Sequence, residues 1–307
     1  MPISTNPVAV TEPNYPRETW WVAATSTEIG TRPVQRWILG LPVVLYRRAD
    51  GNVVALDDRC AHRWAPLSRG QIEGDDIACP YHGFRFGPDG RCTHIPTQKV
   101  VPNVVRVRSY PVREQAPFVW VYTGSAEGLV DAEPPAELDW AVDPIRVTAS
   151  GAMEVACNFM AIHENVLDLS HFPIAHAATL GVTDWTRPPK VEKTNNTVDF
   201  LQRFDATPLP AHYGVPTGIG CERPATRINW GRYISPALHC GGVDIEDPNP
   251  APGGRTHFNL KVLHAVTPMD AGRTRYWWFF SQDYGHGEGA VERGRLLWVG
   301  DRHGNNV

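Results

Sequence analysis

Cys60-Ala61-His62 and Cys79-Pro80-Tyr81-His82 place two thiol–imidazole pairs on two short segments, with sixteen residues between them. No other feature restricts the fold so strongly, because both segments must end at one point if their side chains are to share a metal centre. Cys thiolates and His imidazoles are soft to borderline ligands that suit iron–sulfur clusters or zinc.

The two metals ask for different orders. A Cys2His2 zinc finger offers two Cys close together and then two His close together, whereas here each segment supplies one of each. The mixed order favours a Rieske [2Fe–2S] cluster, in which two thiolates hold one iron and two imidazoles on the other raise the reduction potential. Structural zinc stays as the rival. Pro80, Gly83, Gly87, Pro88 and Gly90 supply tight turns that bring backbone N–H groups close to the sulfides. His94 reads as an ordinary sheet or surface histidine.

The surrounding segments alternate as strands do. Val43–Tyr46 and Val53–Leu56 flank Asp50-Gly51, a hairpin signal. Ile77–Cys79, Phe84–Phe86, Arg91–Ile95, Val104–Val107 and Phe118–Tyr122 continue the pattern, which puts both ligand segments at strand ends of a small all-β domain over residues 18–125. Residues 126–145, acidic and Ala-rich with Pro134-Pro135, read as a linker. Residues 146–307 are left for a second domain.

A chain of 307 residues has room for two domains. Its net charge of −4 offers no basic face for nucleic acid. No apolar run reaches the ~18–20 residues of a membrane span. The start, Met1-Pro-Ile-Ser-Thr-Asn6, lacks the basic and apolar regions of a signal peptide, so a cytoplasmic location is expected. In a reducing compartment the six cysteines read as ligands and core thiols, with Cys92, Cys157, Cys221 and Cys240 as buried small residues.

A second constellation lies in residues 158–178. Phe159, Ile162, Val166 and Leu169 recur at three- and four-residue steps as one helix face, and Asn165, Asp168 and His171 recur every third residue along another. Pro173 then interrupts the helix and turns His176 back toward His171. One carboxylate and two imidazoles converge, the donor set of the facial triad of non-haem Fe(II) oxygenases, whose open positions admit O2 beside a substrate. His163 lies off this face and reads as structural, Glu164 as a solvated acid.

Together, Cys-x-His-x16-Cys-x2-His and Asn165-x2-Asp168-x2-His171-x4-His176 resemble the oxygenase α-subunit of the Rieske non-haem iron oxygenases, over most of the chain. The short length and Trp20-Trp-Val-Ala-Ala24 resemble the aromatic O-demethylase and methyl-hydroxylase branch, that of vanillate O-demethylase, dicamba monooxygenase and toluenesulfonate methyl-monooxygenase. The resemblance implies an α+β fold, an N-terminal all-β Rieske domain followed by a C-terminal helix-grip catalytic domain built on an antiparallel sheet. It implies Cys60 and Cys79 on one cluster iron, His62 and His82 on the other, and His171 and His176 on a mononuclear Fe(II). Asp168 is implied as a bridge, hydrogen-bonded to His171 and to a Rieske histidine, expected to be His82, of a neighbouring subunit. Asn165 belongs to the same catalytic motif. The two metals of one chain are then too far apart for fast electron transfer, so a head-to-tail homotrimer is implied.

The implied partners are an NAD(P)H-dependent reductase, directly or through a ferredoxin, with O2 and a small aromatic substrate. The expected reaction is hydroxylation of a methoxy or methyl group; a hydroxylated methoxy carbon is a hemiacetal that collapses to a phenol and formaldehyde. Ring hydroxylation or N-demethylation is the nearest alternative. A Rieske ferredoxin is the alternative from another class, but it leaves His171 and His176 unexplained. Thr197–Phe204, Arg227–Ile234, His257–Val266 and Thr274–Ser281 read as catalytic-domain strands, with Trp277–Phe280 lining the core and the substrate cavity. Asn229, Trp230 and His257 are candidate substrate contacts. The family takes a third iron ligand, Asp or Glu, from a helix near the C-terminus. Asp301 is the late acid best placed for it and Glu292 a weaker one; the expectation is that the ligand lies beyond Val307.

Overall fold

The computed structural model describes residues 15–177, 188–194 and 196–286. Asp301 and Glu292 lie outside these.

The N-terminal part is built from eleven short strands: β1 (Trp20–Thr25), β2 (Val34–Ile38), β3 (Leu41–Arg47), β4 (Val53–Asp57), β5 (Gln71–Glu73), β6 (Asp76–Ala78), β7 (Arg85–Phe86), β8 (Cys92–His94), β9 (Ser109–Tyr110), β10 (Val112–Gln115) and β11 (Phe118–Tyr122). They form three antiparallel sheets, ordered β1-β11-β10, β2-β3-β4-β9 and β5-β6-β7-β8. The hairpin about Asp50-Gly51 is present as β3 and β4, paired from Val43↔Asp57 to Arg47↔Val53. Gly51 has φ 89°, a left-handed conformation that costs glycine least.

The C-terminal part is one seven-stranded antiparallel sheet. Its strands are β12 (Val147–Val155), β13 (Lys190–Lys193), β14 (Val198–Pro208), β15 (Pro224–Ser235), β16 (Leu238–Glu246), β17 (His257–Asp270) and β18 (Arg273–Gln282). The order is β12-β18-β17-β16-β15-β14-β13. The four strands read from the sequence are all there, each longer than its apolar run. β13 was not read either, and β12 and β16 were not legible, because their Ala and Gly residues are poor strand formers. Their small residues make room for large neighbours. A Cβ at Gly151 would lie 2.7 Å from Cζ2 of Trp278, and one at Gly242 would lie 2.2 Å from the Leu260 carbonyl oxygen.

Successive side chains of a strand point to opposite faces, and this sheet buries both along β18 and the C-terminal half of β17, while its outer face is open to solvent at β13 and β14. On its outer face, Trp277 and Phe279 of β18 pack on Phe118 of β11, with ring centroids 6.3 and 5.5 Å apart. Thr267 donates its hydroxyl to the Val22 carbonyl at 2.6 Å. The N–H groups of Leu39 and Gly40 donate to the carbonyls of Pro268 and Met269. On the inner face lies helix Phe159–Leu167. Asn158 caps it by accepting from the Met160 N–H at 2.9 Å. His163 of this helix is buried, bonds the Pro236 carbonyl through Nε2 at 2.9 Å and packs on Tyr233. Helix Ala211–Thr217 adds Tyr213 to a core with Ile245, Phe258 and Tyr284.

Between the two parts, residues 126–145 contain a short helix, Gly128–Asp131, and a 3-10 turn, Asp139–Ala141. Leu138 and Ala141 are buried in the core that both parts share. All six cysteines are free; Cys92 and Cys240 are buried, while Cys157 and Cys221 are half-buried. Among the described residues no helix is long and apolar enough to cross a membrane.

Glu28 ties the two parts together. Its carboxylate accepts from the Thr25 N–H at 2.7 Å and from Trp277 Nε1 at 3.0 Å, and pairs with Arg36 at 2.8 Å and Arg275 at 3.4 Å. Burial opposes its ionisation, but these donors prevail and hold its pKa below the usual carboxylate range. Such a carboxylate stabilises the fold above its unfolded pKa, and that contribution is lost as pH falls through the folded pKa. Glu28→Ala is expected to lower the unfolding free energy by about 2–4 kcal/mol at pH 7, read by urea titration. The deficit relative to wild type should shrink as pH falls below about 4.

Candidate metal centres and active site

The first two ligand segments fold as matched loops. In one, the Cys60 N–H donates to the Ala65 carbonyl at 2.9 Å and the Trp64 N–H to the Cys60 carbonyl at 2.8 Å. In the other, the Cys79 N–H donates to the Phe84 carbonyl at 2.7 Å and the Gly83 N–H to the Cys79 carbonyl at 3.1 Å. The fourth residue after each Cys is left-handed, Trp64 with φ 56° and Gly83 with φ 72°. Asp58, buried just before the first loop, clamps its far end by accepting from the Ser68 N–H at 2.6 Å and the Ser68 hydroxyl at 2.7 Å.

These loops bring the four predicted ligands together. Cys60 and Cys79 are 2% and 3% exposed, whereas His62 and His82 are exposed. The imidazole centroids are 4.6 Å apart. Phe84 stacks on His62 at 4.9 Å, and Tyr81 lies against His82. Burial, with the Cys79 sulfur beside it, raises the Cys60 thiol to about 11 in the metal-free chain. The donor set fits a two-iron cluster, with thiolates inward and imidazoles at the surface. Zinc would need all four donors about one ion.

The second constellation is not one helix broken at Pro173. The helix ends at Leu167, and Asp168 is extended with φ −101° and ψ 93°. A 3-10 turn, Leu169–His171, and a short helix, Phe172–Ala175, follow. Pro173 sits in the first turn of that last piece, where its missing N–H does no harm. The break comes from Asp168, whose carboxylate accepts from the Ser170 N–H at 3.0 Å and starts a new turn. Asn165 and Asp168 are both exposed.

His171 and His176 come together with ring centroids 5.2 Å apart, and both contact Phe172. With a metal–nitrogen distance of about 2 Å, rings so placed fit one ion. His171 Nδ1 lies 2.7 Å from the Asp168 backbone carbonyl. That bond puts the proton on Nδ1 and leaves Nε2 as the ligating atom. The link from Asp168 to His171 therefore runs through the main chain within this subunit. Its carboxylate is held below the usual range by the Ser170 hydroxyl and N–H. Burial, then His171, lowers the pKa of His176, which favours the neutral imidazole that metals bind.

Of the candidate substrate contacts, Asn229 is buried on the inner sheet face, 3.5 Å from Gln202. Trp230 points to the opposite face. His257 sits at the end of the β16–β17 hairpin with its side chain 75% exposed, away from that buried face. Two buried histidines of the inner face, His239 and His264, carried no motif in the sequence. Each stands alone in an apolar run, and only strand register pairs them.

Residues 19–111 match the Rieske [2Fe-2S] domain family, and residues 155–294 match the vanillate O-demethylase oxygenase C-terminal domain family. The chain belongs to the Rieske non-haem iron oxygenases, as an oxygenase component. It is 35% identical to a vanillate O-demethylase oxygenase subunit from Pseudomonas sp. (strain ATCC 19151), over 79% of this chain and 75% of that one. It is 39% identical to the toluene-4-sulfonate monooxygenase iron-sulfur subunit of Comamonas testosteroni, over 54% of this chain and 48% of that one. The fold superposes on dicamba monooxygenase bound to 3,6-dichlorosalicylic acid with a TM-score of 0.82 at 27% identity, covering 92% of this chain and 82% of that one. This is an oxidoreductase whose cofactors are a Rieske [2Fe–2S] cluster and a mononuclear iron.

Trp64 is 75% exposed, so its left-handed backbone is not repaid by packing. A non-glycine residue there costs about 1–2 kcal/mol. Trp64→Gly should leave the visible spectrum of the cluster unchanged and keep or raise stability, by up to about 1 kcal/mol in thermal or urea unfolding. A clear loss of stability would mean that the indole holds the loop. Because the Cys60 thiol must lose its proton to bind iron, cluster reconstitution of the metal-free chain should proceed further at pH 9 than at pH 6.5, followed by visible absorbance.

Proposed function

We propose that this chain is the terminal oxygenase of a multicomponent system and hydroxylates a methoxy or methyl group of a small aromatic substrate. Cys60, Cys79, His62 and His82 would hold the cluster, and His171 and His176 the mononuclear iron, with a third ligand outside the described residues. When bound, the cluster supplies single electrons and the mononuclear iron activates O2 toward a C–H bond. The single observation that carries the reading is the presence of two separate imidazole pairs in one chain, one beside two buried thiols and one beyond a helix that closes an aromatic-lined sheet face. Residues 18–125, 126–145 and 146–307 would be the cluster domain, the connection and the catalytic domain.

The chain's own residues set the geometry. The Asp168 carbonyl orients His171 by accepting from Nδ1. The Asp168 carboxylate, ionised and exposed, is available to accept a hydrogen bond from an imidazole of another subunit. The exposed His82, with Tyr81 60% and Trp64 75% exposed beside the cluster loops, supports a docked neighbour and hence a homotrimer. Asn165, one helical turn earlier on the same exposed side, belongs to that contact. Electrons would come from an NAD(P)H-dependent reductase.

The test is a panel of methoxy-, methyl- and carboxyl-substituted aromatics with a generic reductase, scored for product and formaldehyde, with uncoupled NADH oxidation controlled. No product across the panel would sink the reading. Asp168→Asn should keep both metals while slowing oxidation of the reduced cluster in single turnover by about 10–100-fold or more. Normal turnover of that variant would remove the bridging role.

A further inference from the structure

We propose that Asp58 tunes the reduction potential of the cluster: a buried negative charge behind the first ligand loop, it lowers that potential and makes the reduced centre a stronger electron donor. The proposal deepens the reading above and rests on one part of it, the assignment of Cys60, His62, Cys79 and His82 to a [2Fe–2S] cluster.

Asp58 stands two residues before Cys60 and is 1% exposed, the only buried charged side chain among residues 15–125. Its Oδ1 accepts from the Ser68 N–H at 2.6 Å, and its Oδ2 accepts from the Ser68 hydroxyl at 2.7 Å and from Nε2 of Gln35. A backbone N–H and an amide nitrogen can only donate, so the surroundings suit an ionised carboxylate, which only accepts. None of the three donors carries a charge. They satisfy the carboxylate without neutralising it. The arginines of the same segment, Arg59, Arg63 and Arg69, are exposed, where water screens them. The clamp also touches the roots of both ligand loops. Ser68 lies in the 3-10 turn Leu67–Arg69, which ends at Gly70. Gly70 presses on β6, the strand that leads into Cys79: a Cβ there would lie 1.9 Å from the Ala78 carbonyl oxygen.

A clamp on Ser68 does not need a charge. An asparagine offers one acceptor and one donor group, enough to hold the Ser68 N–H and hydroxyl, and burying an amide costs far less than burying an ion. A charge kept there acts on what lies beside it, the two sulfurs of Cys60 and Cys79, 2% and 3% exposed in the same core. The sign of the effect follows from Coulomb's law. Reduction adds one negative charge to the cluster. A carboxylate already fixed in the same weakly screened surroundings opposes that addition, so the potential falls. A lower potential gives the electron a larger driving force toward its acceptor. The role is distinct from that of the N–H groups near the sulfides, which act in the opposite sense by favouring the added charge.

The test is anaerobic redox titration of the substrate-free holoenzyme at fixed pH, followed by the visible spectrum of the cluster, with circular dichroism verifying the fold. Asp58→Asn is expected to raise the ratio of reduced to oxidised cluster at a given solution potential by ~10-fold, which is about 59 mV for one electron. Gln35→Lys changes an exposed residue of β2 and sets a cation beside the same carboxylate. It should raise the ratio in the same sense, by ~3–10-fold, and it decides the matter if the asparagine variant takes up no cluster. Ser68→Ala weakens the same clamp but keeps the charge, so it should leave the ratio within about twofold of wild type or lower it. An unchanged ratio in Asp58→Asn, or in Gln35→Lys where that variant must decide, overturns the proposal. So does an equal rise in Ser68→Ala, which would make loop geometry the cause. The spectrum separates this inference from the reading beneath it. Wild type without iron–sulfur absorption sinks the ligand assignment, whereas a normal spectrum with an unshifted potential sinks the role of Asp58 alone.

Discussion

The structure depends on the β17–β18 end of the large sheet, which is buried on both faces. Strand alternation sends Trp277 and Phe279 of β18 into the N-terminal part and Trp278 and Phe280 of the same strand to the inner face of the sheet. One strand thus packs on the N-terminal part with one side and covers the inner face with the other. Interiors packed this closely resist small displacements, so the two parts are held in a single arrangement. Glu28 adds a polar tie at the same seam, satisfied by donors from both parts.

The two metal centres are built by opposite local devices. The cluster loops repeat one hydrogen-bond scheme around Cys60 and Cys79, so that thiols point inward and imidazoles outward from equivalent turns. The second loop meets its left-handed position with Gly83; the first does so with Trp64 and carries the strain. The iron motif relies instead on ending a helix early. Asp168 stops the helix at Leu167, caps the next turn through Ser170 and orients His171 through its carbonyl. A continuous helix would place His171 and His176 on different sides, since a step of five residues is well over one turn.

Much of this was legible. The candidate ligand pairs that the fold brings together, the Asp50-Gly51 hairpin and four strands of the large sheet follow from side-chain type and local period. Among the strands that escaped notice, β12 and β16 are two whose composition answers to neighbours. Gly151 is small because Trp278 lies over it, and Gly242 because Leu260 passes beneath. Propensity cannot register that demand, because it arises between segments far apart in the chain. The helix break was assigned to Pro173 because proline is the obvious breaker, whereas a carboxylate with a better partner in Ser170 ended the helix first.

By itself the sequence pointed to the metal chemistry of this protein, because the candidate ligands Cys60, His62, Cys79, His82, His171 and His176 sit in short segments whose spacing is a local property. It also determined the kind of sheets that surround them. Only the tertiary structure decided what faces what. The register of β16 on β17 pairs His239 with His264, alternation turns both toward His163, and the helix over them leads to the iron motif. These residues are tens of positions apart, and their meeting depends on strand pairing and on which face each strand buries, neither of which is written in any single segment.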